Sequence, residues 1–329
     1  MRNYLYLLSG ALLFSALLTS CQDASTTAQV EEKPAAQAPA EAADQTQALL
    51  LVQGAPFDAE NKNRVDGAYQ AKQKMTVPAN LTPQNKWIMF EGPVLENDKV
   101  AYRYYADSRH RFDIYGKKVS DLVMDTVSWQ YHDIMDWGSD ILKVGNSLGM
   151  GSPAIYADGK VYALENSDTK TIEVIKSGGD KSVIRTKWMG LAIDGQKMNV
   201  VQDWSIAAGD YFSTIDLSVE GGKLPEGMYF ATGIVSHLPD ATAGSANGYG
   251  YLMNWGKQSY HKEMLGMAVM AKDEYAPKAV EDELSHLLVF ENAPEKVSYR
   301  FMAVWEQDQS QTKDAAGFKA MVESAAAGK

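Results

Sequence analysis

The sequence predicts a mainly β protein, a large antiparallel β-sandwich with few short helices. Three observations point there. Strand-like runs follow one another across hairpin-length turns, helices do not alternate with them as a parallel sheet requires, and no fixed-period repeat suggests a solenoid or propeller.

Taken in order, residues 100–105 are aromatic-rich and strand-like, and 154–164 contains the turn Asp158-Gly159. Residues 171–175 precede Gly178-Gly179, and 183–188 is followed by the hairpin signal Asp194-Gly195 and a run over 198–206. Residues 211–219 end at Gly221-Gly222, and further β-like runs cover 228–236 and 297–305. Helical patterning is confined to 58–74, 131–140 and 314–326.

The N-terminus predicts export. Arg2 precedes an apolar stretch over 5–18, and Leu18-Thr19-Ser20 sets small residues before Cys21. A stretch of about 14 residues is short for a spanning helix, which needs roughly 20. The pattern is that of a lipoprotein signal over 1–20, with Cys21 lipidated. As the single cysteine of the chain, Cys21 has no intramolecular disulfide partner, which favours an anchor. Asp23 lies one place beyond the position associated with inner-membrane retention, so the expected location is the cell envelope, at the outer membrane. Residues 21–47, rich in Ala, Gln, Glu, Thr and Pro, cannot bury enough surface to offset ordering entropy and read as a tether. Residues 48–329 then form one β-sandwich domain.

With 42 acidic against 31 basic residues the net charge is −11, which argues against nucleic-acid binding. Basic residues nevertheless collect between Arg103 and Lys118, enough for a local pocket that accepts an acidic sugar. Residues 107–152 hold the densest chemistry, with His110, His132, Arg109, Arg111, Asp113, Tyr115, Lys117, Tyr131, Asp133, Asp136, Trp137, Asp140 and Lys143. Proton abstraction beside a carboxylate needs a base with a pKa near ambient pH, a cation to hold the developing charge and an acid for the leaving oxygen. His110 or His132 would be the base, Tyr115 or Tyr131 the acid, and Arg109, Arg111 or Lys143 the cation. His237 ends a strand and would enter the same cleft, whereas His261 and His286 read as surface residues. Among the aromatic residues, Trp137 and Trp255 are the candidate platforms for a sugar ring.

Three rival patterns are weaker. Gly145-Asn146-Ser147-Leu148-Gly149 matches the nucleophile-elbow formula, but Met150-Gly151-Ser152-Pro153 follows where a helix must begin, so a structural turn is expected. The same glycines lack the Gly-Lys-Ser/Thr ending of a phosphate loop. His132, Asp136 and Asp140 are four residues apart and on a helix would share a face, offering one nitrogen and two oxygens to a divalent cation such as zinc or manganese. They lack a clear fourth ligand, so no cofactor is the primary expectation.

Several motifs carry a resemblance. Glu91-Gly92-Pro93, Val100-Ala101-Tyr102-Arg103, Asp113-Ile114-Tyr115-Gly116-Lys117-Lys118, Tyr131-His132, Asp136-Trp137-Gly138, Asp140-Ile141-Leu142-Lys143-Val144-Gly145 and Trp255-Gly256-Lys257-Gln258 resemble the domain-of-unknown-function 4861 family of exported bacterial proteins. The resemblance implies a galactose-mutarotase-like supersandwich and a role in breaking down acidic glycans, with lyase or dehydratase chemistry on uronic-acid oligosaccharides. In the leading scheme His132, the preferred base, or Tyr131 takes the proton, Arg109 and Lys143 hold the carboxylate and Trp137 stacks the ring. The expected partner is an acidic oligosaccharide, with the membrane engaged through the lipid alone. The alternatives are a glycan-binding lipoprotein without turnover, and a glycoside hydrolase drawing two carboxylates from Asp133, Asp136, Asp140 and Glu165.

Overall fold

A computed structural model describes residues 44–328. The expected signal segment, Cys21 and most of the tether lie outside the described residues. The first strand, Thr46–Leu49, starts inside the segment expected to be tether, because Thr46 and Ala48 turn inward while Gln47 and Leu49 stay half-buried.

Three antiparallel sheets carry the fold. The largest has nine strands, in the order Thr242–Ala246, Tyr249–Lys257, Met264–Lys272, Lys296–Trp305, Phe212–Val219, Gln196–Ala207, Lys181–Ile193, Thr169–Lys176 and Lys74–Thr76. A first smaller sheet runs Thr46–Leu49, Val94–Asn97, Val100–Tyr104, Phe112–Lys117, Gly138–Asp140. The other runs Lys160–Ala163, Ala154–Ala157, Met228–Val235, Ser285–Phe290, Pro277–Glu281. One core joins all three: Tyr102 and Phe112 from the first small sheet and Ile155, Phe230 and Leu288 from the second meet Trp188, Trp204 and Phe301 of the large sheet. The large antiparallel sandwich read from the sequence is the architecture observed.

Alternation explains the register. In Gln196–Ala207, Met198, Val200, Gln202 and Trp204 face inward while Asn199, Val201 and Asp203 stay half-exposed on the other face, the period-two pattern of a strand buried on one side. The turns at Asp158-Gly159 and Asp194-Gly195 close the hairpins 154–163 and 181–207, with both residues of each pair at positive φ as a tight hairpin requires.

Of the three helical expectations one is met. Ala315–Ala326 is an α-helix capped by Asp314, whose carboxylate accepts from the Gly317 amide at 2.8 Å, and Phe318 and Val322 pack it on the outer face of the large sheet. Residues 58–74 and 131–140 are instead turns and short strands. Gly138, at φ 141, supplies the reason in the second segment: it leaves the helical region and opens the strand Gly138–Asp140. The 145–149 turn is structural as well. Ser147 donates to the Val144 carbonyl at 2.7 Å and accepts from the Gly149 amide at 2.9 Å, which commits its hydroxyl to the turn.

Candidate functional site

The site grows from the face of the first small sheet that points away from the shared core. Along Val100–Tyr104, Tyr102 and Tyr104 enter the core, so Ala101 and Arg103 fall on the opposite face, and the hydroxyl of Tyr105, just beyond the strand, reaches Arg103 and Asp113. On the neighbouring strand Asp113, Tyr115 and Lys117 share that face, with Asp113 directly opposite Arg103. Loops over 85–92 and 119–137 cover it and supply Phe90, Glu91, Tyr131 and His132.

Arg103 is the hub. Its Nη2 donates to Asp113 Oδ2 at 2.8 Å, to Asp140 Oδ2 at 2.9 Å and to the Tyr105 hydroxyl at 3.0 Å. Nη1 donates to the Phe90 carbonyl at 2.7 Å and the Tyr131 hydroxyl at 3.2 Å. The guanidinium and both carboxylates are sealed from solvent, so one buried cation faces two buried acids. Burial and the neighbouring Asp113 push the Asp140 carboxyl well above the usual carboxylate range, with Arg103 opposing. Asp140 therefore holds its proton more readily than an exposed aspartate.

His132 rests on this cluster. Its Nδ1 stands 3.4 Å from Asp140 Oδ2, and its side chain is 56% exposed. Its ring packs on Tyr131, with centroids 4.6 Å apart. Burial, then Arg103, lowers its pKa below 6.5, leaving a neutral imidazole at neutral pH. With Nδ1 turned to Asp140, Nε2 is the nitrogen left for a ligand.

Arg109 closes the other side. It donates from Nε to Asp107 Oδ1 at 2.9 Å and from Nη2 to Asp107 Oδ2 at 2.6 Å and Glu91 Oε2 at 2.9 Å, and it stacks 3.8 Å from the Tyr105 ring centre. Its Nη1 takes part in none of these bonds. Phe90 and Glu91 both sit at positive φ, 62° and 58°, an uncommon conformation for residues that bear a Cβ. That backbone turns the Phe90 carbonyl to Arg103 and the Glu91 carboxylate to Arg109, and strain of this kind gathers at functional sites.

Of the residues expected from the sequence, the structure brings His132, Tyr131, Arg109 and Tyr115 into one cluster, with half-buried Trp137 beside Tyr115 at 6.2 Å between ring centres. Tyr131 and Tyr115 are only 2% and 1% exposed, so both phenols support the cluster from beneath and neither meets a ligand. Burial keeps both protonated beyond the ordinary phenol range. His110 does not join. It lies in the core between Tyr104 and Trp188, its Nε2 at 3.1 Å from Gln202 Oε1, and burial, then Lys170, holds its pKa well below 6.5. The basic look of residues 108–111 hid an imidazole that folds inward at φ 41°.

Lys143 and His237 form a separate pair, with His237 Nε2 at 2.7 Å from the Lys143 carbonyl. Trp255 packs against Phe318 of the C-terminal helix and is no ring platform. His286 is buried between Glu281 and the Leu238 carbonyl and is no surface residue, whereas His261 is half-buried, with Nε2 at 3.0 Å from the Ser139 hydroxyl. The helical face that would align His132, Asp136 and Asp140 does not form, and no cluster of three or more His, Cys, Asp or Glu among the described residues is arranged to hold a metal ion. Glu165 pairs with Arg111, away from the cluster around Arg103.

Sequence reasoning missed Arg103, Tyr105, Glu91 and Tyr260 as members of the site, and gave Asp113, though within the dense stretch, no role. The Tyr260 ring is 51% exposed, 6.0 Å from His132, and its amide donates to the Ile141 carbonyl at 2.8 Å next to Asp140.

Residues 9–328 match a family described as Domain of unknown function (DUF4861). The chain belongs to this family. No curated protein matches it. Among solved structures, one similar chain is described as an aldose 1-epimerase from Klebsiella pneumoniae subsp. pneumoniae MGH 78578, at 9% identity and a TM-score of 0.38, over 86% of this chain and 95% of that one. Another is a 4-alpha-glucanotransferase from Thermococcus litoralis, at 8% identity and a TM-score of 0.33, over 70% of this chain and 39% of that one. At these scores neither likeness bears on chemistry. The matched residues include the whole site: Glu91-Gly92-Pro93 supplies its strained turn, Arg103 its hub, and Asp113, Tyr131-His132 and Asp140 its acids, support and imidazole.

Proposed function

We propose that this DUF4861 protein is a lipid-anchored, carbohydrate-active enzyme of the cell envelope that forms an unsaturated uronic acid from acidic oligosaccharides by eliminating water or an alcohol. The observation that carries the reading is His132, a half-exposed neutral imidazole seated on a buried Arg103, Asp113 and Asp140 cluster. A carbohydrate-binding or structural surface has no need of a solvent-facing imidazole set over a buried carboxyl.

In this reading the substrate carboxylate docks on the open Nη1 edge of Arg109. His132 Nε2 takes the proton from the carbon α to that carboxylate, and the C–H electron pair becomes the new double bond as the β C–O bond breaks. The departing oxygen takes its proton back from the same imidazolium, on the same face of the ring. Asp140 steadies the transient imidazolium through Nδ1, and Tyr131 and Tyr105 hold Arg103 in place. The Tyr260 ring offers an amphipathic face to the sugar. Lys143 lies with His237, so Arg109 carries the carboxylate in this scheme.

Incubating the protein with saturated and unsaturated uronate oligosaccharides from ulvan, alginate and pectin, while following absorbance of the conjugated double bond, tests the reaction class. Absence of any change with every substrate removes it. Binding without turnover would establish the glycan-binding alternative, which uses Arg109 and Tyr260 but no base.

A further inference from the structure

A cavity lies where the strand Thr169–Lys176 begins. Lys170 points inward from that strand and is 8% exposed, with Nζ donating to the Ala106 carbonyl at 3.1 Å and the Asp107 carbonyl at 2.9 Å. An ammonium has three N–H donors, and these bonds use two. The Tyr104 and Trp188 ring centres lie 5.7 and 5.8 Å from Nζ.

The cavity, of about 420 Å³, adjoins this lysine, with Pro78 and Leu81 as apolar wall and the hydroxyl-bearing Ser108 and Thr169 at its rim. That size suits a small ligand. Three carboxylates also line it, and each already has a cation: Asp107 has Arg109, Glu165 has Arg111 and Asp168 has Lys197. Lys170 is the cation of this cavity that no carboxylate partners. Leaving a buried ammonium without a counter-ion is costly, and its amine is pushed down by burial to about 7, against Asp107 and Glu165. The cavity thus brings together a buried amine that no carboxylate pairs with, two hydroxyl-bearing residues and an apolar wall.

We propose that this cavity binds a small polyhydroxylated carboxylate, its carboxylate pairing with the Lys170 ammonium and its hydroxyls meeting Ser108 and Thr169. The site does not depend on the chemistry assigned to His132. The two centres are nevertheless joined by one short segment, since the Asp107 whose carbonyl Lys170 holds also orients Arg109 through its carboxylate.

Calorimetric titration of the whole chain with D-gluconate and with sorbitol, its neutral counterpart, tests the proposal. Gluconate should bind and sorbitol should bind at least tenfold more weakly. His132→Ala should leave the gluconate affinity unchanged, whereas Lys170→Met should lower it tenfold or more. Thr169→Trp, an exposed change that fills the mouth of the cavity and spares the lysine, should do the same and decides the matter if Lys170→Met does not fold. The proposal is overturned if gluconate gives no binding at millimolar concentration, if sorbitol binds equally, or if both cavity variants bind as the unaltered protein does. Loss in His132→Ala with retention in Lys170→Met would place the anion at the other centre and overturn it equally.

Discussion

His132 Nδ1 stands 3.4 Å from Asp140 Oδ2, with the imidazole half in solvent and the carboxyl sealed from it. The pair places a titratable group that can meet a ligand directly above one that cannot. What fixes the geometry is Arg103, whose Nη2 donates to both Asp140 and Asp113 while Nε donates to Asp113 as well, and so holds the acid under the imidazole.

Arg103→Met should be strongly destabilising. Two buried acids and the Phe90 carbonyl lose their donor, and breaking a buried ion pair by removing one partner costs about 3–5 kcal/mol. Urea denaturation reads the loss. Asp113→Asn in the same background should recover part of it, because the repulsion between the two acids is then removed. A loss below about 1 kcal/mol would mean that the cluster is far more hydrated than its burial indicates.

Stability should fall on the acid side through the histidines. His110 and His132 both have folded-state pKa values depressed below 6.5 by burial, so their contribution is complete above that value. It is lost as pH falls toward the lowered values, because the unfolded chain then binds protons that the folded chain refuses. Urea midpoints measured between about pH 7.5 and 5 should decline, and His110→Gln should flatten the decline while lowering the neutral plateau. An unchanged slope in His110→Gln would contradict the buried placement of this imidazole.

Gly149→Ala should destabilise by more than about 1 kcal/mol. Gly149 sits at φ 59°, and a Cβ there would run into the Phe112 carbonyl oxygen, whose backbone holds the site strand in place. Gly145→Ala, also at positive φ at 57° but with open space around it, should cost less, and thermal unfolding of the two variants compares them.

Much of the fold was legible because its strands alternate cleanly and its turns carry Asp-Gly or Gly-Gly. The Thr46–Leu49 strand escaped notice because it is short and has polar neighbours, and 131–140 misled because a four-residue spacing of His132, Asp136 and Asp140 imitates a helix that Gly138 ends. At the site, Tyr131, His132 and Arg109 could be read from local density, but Arg103 could not. It sits among aromatic residues in a run that looks like core, and only the pairing of Arg103 with Asp113 shows which face it occupies. His110 failed for the opposite reason: Arg109 and Arg111 on either side suggested a surface, while the turn at φ 41° sent the ring inward. Tyr260, distant in sequence, carries no local signal at all.

Tyr260→Ala should leave stability within about 0.5 kcal/mol, since the ring is 51% exposed. It should weaken binding of an acidic oligosaccharide roughly fivefold, the loss expected for one ring contact worth about 1 kcal/mol. Titration of the unaltered protein and the variant with the same oligosaccharide reads this, and equal affinities would remove Tyr260 from the site.

The most direct measurement is the rate of double-bond formation from uronate oligosaccharides by the unaltered protein and by His132→Ala, with ligand affinity measured in parallel. The account predicts a conjugated product from the unaltered protein, a rate lower by about 10² to 10⁴ in His132→Ala, and an affinity that is nearly the same in both. A product formed equally fast without the imidazole, or no product from the unaltered protein with any uronate, would contradict it.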